Sequence, residues 1–226
     1  MNAAERIKPV VWDRRALGID CFELADATPG TLAAALARSG HHSVRIDPLD
    51  SAAKAALQRH GFYYCDTLIE PWCTPSRLRP VADPDAALDA QPDLDAVLAI
   101  CHGAFQHDRF HRDFAVTPAQ ADARYDHWLR ELHAAGAVRG LVHAGVLVGF
   151  VACQDTRLVL HAMSETARGH GRAHALWSLL CAERFAAGAQ EVSSSISAAN
   201  LAALNLYAAL GFRFRNPVDL YHRVVI

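Results

Sequence analysis

Residues 158–171 read L-V-L-H-A-M-S-E-T-A-R-G-H-G and continue at 172–180 as R-A-H-A-L-W-S-L-L. An apolar, β-prone run ends in a polar turn. Two glycines then flank a histidine, and an alanine-rich helical pattern begins. This is the order strand, glycine turn, helix N-terminus. Such a turn leaves backbone N–H groups without helical partners, with the helix dipole behind them. It suits a phosphate or pyrophosphate. Gly169 and Gly171 let backbone approach a ligand closely. Arg168 and Arg172 add positive charge where phosphates would lie. The dinucleotide fingerprint G-x-G-x-x-G fails because His174 stands at the third glycine. A P-loop fails because Arg172-Ala173 replaces Lys-Ser/Thr. An ordinary glycine turn with two solvated arginines is the competing reading.

Bulk properties narrow the class. The chain has 226 residues, 52% of them hydrophobic and 20% charged, enough for a substantial core. A formal net charge of -2 gives no case for bulk electrostatic binding of nucleic acid. The opening M-N-A-A-E-R-I-K-P lacks the apolar core of a leader, and no apolar run reaches the length of a membrane span. A cytoplasmic protein without a membrane partner is expected. Cys21, Cys65, Cys73, Cys101, Cys153 and Cys181 form no C-x-x-C pair and are expected as buried thiols.

Periodicity predicts β-α-β-α-β over Cys21 to Ile69: strands at Cys21–Leu24, Ser43–Ile46 and Phe62–Ile69, and helices at Thr31–Arg38 and Ser51–His60. Pro75, Pro80, Pro84 and Pro92 mark a weakly periodic linker with at most a short helical piece. Beyond it come helices at Leu94–Ala104 and after Thr117-Pro118, and strands at Val138–His143 and Val146–Cys153 joined by a tight Ala144-Gly145 turn. The central strand, turn and helix follow. Next are a strand at Glu191–Ile196, a helix at Asn200–Leu210 stopped by Gly211, and two final strands.

A second constellation is N-L-A-A-L-N-L-Y-A-A-L-G-F, residues 200–212. Tyr207 follows Asn200 by two helical turns, so the two lie near one face. A phenol keeps its proton at neutral pH yet can give it to a leaving thiolate. Alone, Tyr207 reads as a core tyrosine.

Together the two segments resemble the GNAT superfamily of N-acetyltransferases. Arg168, Gly171 and Ala173 match its acetyl-CoA motif, Q/R-x-x-G-x-G/A. Asn200, Ala203, Tyr207, Gly211 and Phe212 match its N-x-x-A-x-x-x-Y-x-x-x-G-F pattern. The likeness covers roughly residues 95–226. Trp12, Asp13 and Gly18, the pair Gly61-Phe62, Arg109-Phe110 with Asp113, and Tyr125 with Trp128 are similar to one branch, the dTDP-fucosamine (TDP-4-amino-4,6-dideoxygalactose) acetyltransferases of surface-polysaccharide synthesis.

The resemblance implies an α/β GNAT fold: a mixed, mostly antiparallel sheet flanked by helices. Residues 1–75 would be an N-terminal α/β subdomain, 76–93 a linker, and 94–226 the acyl-CoA-binding catalytic domain. It implies acetyl transfer from acetyl-CoA, without a metal, to the primary amine of a nucleotide-linked amino sugar by direct attack. Other small amines, a protein N-terminus, or a non-catalytic CoA sensor are the alternatives. The pantetheine arm is expected at the backbone of Ala162 and Met163. The pyrophosphate is expected on Arg168, Gly169, His170, Gly171, Arg172 and Ala173. Asn200 would hold the CoA arm and Tyr207 would act as general acid. Arg109, Phe110, His111 and Asp113 would contact the acceptor, a TDP- or UDP-amino sugar. His107, His111, Asp113 and Glu165 are the candidate bases. A homodimer is compatible with the family, although no residue argues for it.

Overall fold

The computed structural model describes residues 3–226; Met1 and Asn2, where the stretch read for a leader begins, lie outside the described residues. The first half contains β1 (Ile7–Pro9), α1 (Val11–Leu17), β2 (Cys21–Leu24), α2 (Pro29–Leu36), β3 (Gly40–Ile46), α3 (Ser51–Arg59) and β4 (Tyr63–Cys73). An edge strand β5 (Ala86–Asp89) lies inside the proline-marked stretch, where at most a helical piece was expected. Then come α4 (Leu94–Cys101), α5 (Pro118–Ala134), β6 (Val138–His143), β7 (Val146–Gln154) and β8 (Arg157–Met163). The chain ends with α6 (Arg172–Ala186), β9 (Val192–Ser194), β10 (Ile196–Ser197), α7 (Leu201–Ala209) and β11 (Arg213–Val225).

Local chemistry accounts for the boundaries. Thr117 and Gln120 form a reciprocal capping box at α5, with Pro118 at its start. Asp50 caps α3 and Asn200 caps α7, each accepting an N–H three residues on. Ala144 and Gly145 both have positive φ (49° and 77°), as a two-residue hairpin of matching twist requires. The expected two final strands are one, because a bulge at Asn216-Pro217 lets β11 bend without leaving its partner.

All strands join one sheet in the order β1-β2-β3-β11-β4-β9-β8-β7-β6-β5, with β10 also on β4. Pairing is antiparallel except at β2–β3 and β8–β9. The expected mixed, mostly antiparallel sheet flanked by helices is therefore what forms. Helices α1, α4 and α5 cover one face, with Phe110, Leu129, Phe150 and Leu160 in the core beneath them. Over the second half, α6 and α7 cover the other face, around Trp177, Leu180 and Tyr207. Full burial of such side chains is worth about 1.5–3 kcal/mol each.

The sheet contains an internal repeat. The run β2-α2-β3-α3-β4 has the same order as β8-α6-β9/β10-α7-β11, and the last strand of each run completes the sheet of the other. Thus β3 pairs β11, while β9 and β10 pair β4. The registers correspond. Ser43 faces His222 where Ser193 faces Trp72, and Ile46 faces Asp219 where Ile196 faces Ile69. In each case the mates stand 150 positions apart, as do the caps Asp50 and Asn200. The central pair follows the same rule: Arg213 faces Trp72 and His222 faces Tyr63. A pseudo-two-fold axis therefore passes between β4 and β11.

Candidate acyl-CoA site

The site begins with a bulge. Cys153 faces Leu158 and Ala152 faces Leu160, so Val159 is an extra residue in β8. The last parallel pair between β8 and β9 is Leu158–Ser194, next to that bulge. A bulge bends its strand and disrupts the ladder. From Val159 to Met163, β8 stays with β7, while the other strand passes into β10 on β4. The strands part there, and one edge of β8 is left without a ladder partner.

Backbone alternation decides what that edge offers. Ser164 N–H bonds Val148 C=O at 2.9 Å, so position 164 points toward β7. The N–H and C=O of Met163 then point into the gap, while those of Ala162 point to β7. The Met163 carbonyl accepts from Arg168 Nε at 3.0 Å. Its N–H remains available at the parted edge.

The glycine turn follows. Gly169 (φ 79°) and Gly171 (φ 74°) are left-handed, with open space where a Cβ would stand. Gly171 is the N-cap of α6 and supplies no side-chain cap. Among the described residues, the N–H groups of Gly169, His170, Gly171, Arg172 and Ala173 donate to no protein acceptor. The Arg168 N–H turns inward to Glu165 C=O at 3.3 Å. Free donors at the start of a 15-residue helix form an anion seat with a favourable dipole. The turn opens on a depression of about 370 Å³ lined by Val81, Asp83, His143, His170, Gly171 and Arg172. These features fit the pyrophosphate and pantetheine of an acyl-CoA.

On the α6–α7 side of the gap, Tyr207 is fully buried. Its Oη accepts from Trp177 Nε1 at 3.5 Å and lies 3.1 Å from His161 Nε2. Burial raises the phenol pKa, so its proton stays on at neutral pH. Burial pulls the His161 imidazole down to about 4, leaving it neutral. Asn200 spends its side-chain oxygen on capping α7. His161 was not singled out by the sequence; its ring packs edge-on to Trp177 at 5.4 Å.

The four expected acceptor residues lie in the α4–α5 loop with their polar groups turned inward. Arg109 is buried beside Asp13, with its guanidinium 4.6 Å from the Phe110 ring centroid. Phe110 is core. His111 is held between Asp108 and Asp122, which raise its pKa against the pull of burial. Asp113 accepts from His41, His222, Tyr63 and the Ala115 N–H; these bonds hold its carboxyl far below the usual range despite burial. Together they clasp the loop to the sheet. His107 and Glu165 are exposed. Among the described residues, two groups have ligand-capable atoms close enough for a cation, His41–Asp113–His222 and Asp83–Asp85–His143.

A parted sheet beside an uncapped glycine turn is an arrangement suited to acyl transfer from an acyl-CoA. Residues 102–212 match the family model of the acetyltransferase (GNAT) family. Three solved structures share the fold. A GCN5-related N-acetyltransferase from Sphaerobacter thermophilus is 14% identical, with a TM-score of 0.67 over 96% of this chain and 76% of that one. One from Kribbella flavida is 14% identical, with a TM-score of 0.55 over 98% and 90%. A tandem GNAT protein from the clavulanic acid biosynthesis pathway is 16% identical, with a TM-score of 0.53 over 90% and 75%. No curated protein sequence matches the chain. No helix among the described residues is long and apolar enough to cross a membrane.

Proposed function

We propose that the protein moves an acetyl group from acetyl-CoA to the primary amine of a nucleotide-linked amino sugar. The reading of the donor rests on the row of free N–H groups from Gly169 to Ala173 beside the parted strands β8 and β9. The amine attacks the thioester carbonyl directly. The Met163 N–H receives the developing oxyanion, and Tyr207 gives its proton to the departing thiolate. Tyr207 must turn its hydroxyl from His161 toward sulfur to do so. Asn200, with its amide nitrogen uncommitted, is proposed to hold the CoA arm.

Supporting the acceptor class is an aromatic surface on β4 and the α4–α5 loop. Tyr64 and Phe114 are 45% and 80% exposed, and Phe114 lies 4.0 Å from the Tyr63 ring. The Arg112 guanidinium stands 5.8 Å from the Tyr64 ring centroid. Exposed ring faces with a cation beside them suit a sugar joined to a phosphorylated nucleoside. The test is thiol release from acetyl-CoA with a panel of TDP- and UDP-amino sugars. Turnover on one or more of them is expected. Turnover only on a non-sugar amine would remove the acceptor class. Tight acetyl-CoA binding without turnover on any amine would leave a sensor.

A further inference from the structure

The structure holds a buried carboxylate outside the four candidate bases His107, His111, Asp113 and Glu165. Asp66 lies on β4, the strand that the first half lends to the second. It is fully buried. Leu220 faces Asp66 while Tyr221 faces Tyr64, so Cys65 is an extra residue, and this bulge re-aims the strand at Asp66. One carboxylate oxygen, Oδ1, accepts from Ser197 Oγ (2.8 Å), Arg112 Nη1 (2.9 Å) and the Thr67 N–H (2.9 Å). The other, Oδ2, is buried and has no partner among the described residues.

A bare, buried carboxylate oxygen is costly and calls for a physical account. Asp66 also has an informative address. Ser197 ends β10, and the next N–H, of Ala198, donates to Thr67 C=O at 2.8 Å. Asp66 is thus tied to the side of the gap that faces the free edge of β8. Arg112 reaches it from the α4–α5 loop, on the sheet face opposite α6 and Tyr207. The charged groups around it are Arg112, which favours the carboxylate, and Asp108, which opposes it; burial dominates and raises its pKa.

We propose that Asp66 Oδ2 receives an N–H of the acceptor's ammonium group and takes its proton as the amine attacks. This rests on the acyl-transfer reading above. In becoming an amide nitrogen the ammonium forms one N–C bond, the C–S bond breaks, and two protons leave. One goes to Asp66 and on to solvent. The other restores the proton that Tyr207 gives to the thiolate. Acid and base then work from opposite faces of the sheet, and the first half of the chain supplies the base.

The experiment compares wild type with Asp66→Asn on a turned-over amine, reading acetyl-CoA affinity and the pH profile of kcat/KM. The amide keeps the shape but cannot take a proton. Acetyl-CoA affinity should stay within about twofold, while kcat/KM at neutral pH falls about 100-fold. The deficit should shrink as pH approaches the amine's own pKa. Ser197→Ala, which removes one donor to the carboxylate, should move the acid limb of the profile to higher pH. An unchanged profile in Asp66→Asn, or a loss equal at every pH, overturns the assignment. Loss of folding in Asp66→Asn leaves the Ser197→Ala limb to decide it. Wild type that binds acetyl-CoA yet acylates no amine overturns the acyl-transfer reading instead, and Asp66 with it.

Discussion

The Tyr207 hydroxyl lies 3.1 Å from His161 Nε2, joining helix α7 to strand β8 where that strand has left its neighbour. The indole of Trp177 donates to the same oxygen, and burial keeps the histidine neutral. Tyr207→Phe removes the hydroxyl proton and keeps the ring. We expect kcat to fall about 100-fold with acetyl-CoA affinity nearly unchanged. Steady-state kinetics beside calorimetric binding check this. Unchanged turnover would remove Tyr207 as the acid.

The glycine turn predicts a loss of binding rather than of chemistry. Gly171→Ala meets no steric obstacle, but at φ 74° a Cβ costs about 1–2 kcal/mol. Relaxation of that strain turns the Gly171 and Arg172 N–H groups off their aim. Acetyl-CoA affinity should fall about tenfold, with much smaller effects on kcat. Equilibrium binding of the variant decides it, and wild-type affinity would mean that the turn is only a turn.

The contribution of His161 and His222 to stability should fall as pH drops from about 6.5 to about 4, against an opposite contribution from His111, whose pKa is raised. Burial pulls His161 and His222 down to about 4 in the folded state, against about 6.5 when unfolded. The unfolded chain then binds the proton first, so these groups favour folding above the unfolded pKa and oppose it progressively below. Each contributes a slope of at most about 1.4 kcal/mol per pH unit. Asp113 has a depressed folded pKa, so its contribution persists through this window and is lost only at lower pH. Urea midpoints at pH 7 and pH 5 test this; equal midpoints would contradict it.

Each chain should bind one acyl-CoA, although it contains two copies of the strand–turn–helix unit. In the first copy the helix start is closed by the chain itself: Asp26 accepts from the Thr28 N–H (3.0 Å) and from the hydroxyls of Thr28 and Thr31 (both 2.7 Å), and it pairs with Arg6. Pro29, at the first helical position, has no N–H to offer. Leu57, fully buried, holds the place that Tyr207 holds in the second copy. Native mass spectrometry or calorimetric stoichiometry should give one site, and two would contradict this account. Asp26→Ala should cost about 1 kcal/mol of stability without opening a second site.

Much of this was legible in the residues, because caps, turns and apolar periods are local. Thr117-Pro118, Ala144-Gly145 and Asn200 read correctly from sequence. The repeat did not, since its copies share only scattered residues, among them Ser43, Ile46, Ala52-Ala53 and Gly61-Phe62 against Ser193, Ile196, Ala202-Ala203 and Gly211-Phe212. The bulges at Val159 and Cys65 were also invisible, because register is set by a partner strand. Without the first, nothing in L-V-L-H-A-M says where the sheet opens. Without the second, Asp66 reads as one polar residue in a strand. Arg109, Phe110, His111 and Asp113 stood out in the sequence as a dense constellation and were expected at the acceptor. A dense polar cluster on a loop, however, can hold the loop down as readily as it can reach outward.

The exchange of closing strands makes the two copies thermodynamically inseparable. Without β4 the second copy has a raw edge at β9, and without β11 the first has one at β3. A fragment of either copy would present unpaired backbone and invite association. Heating the intact chain should therefore give one calorimetric transition, with no step in which one copy melts ahead of the other. The first copy thus governs whether its twin has a sheet to open.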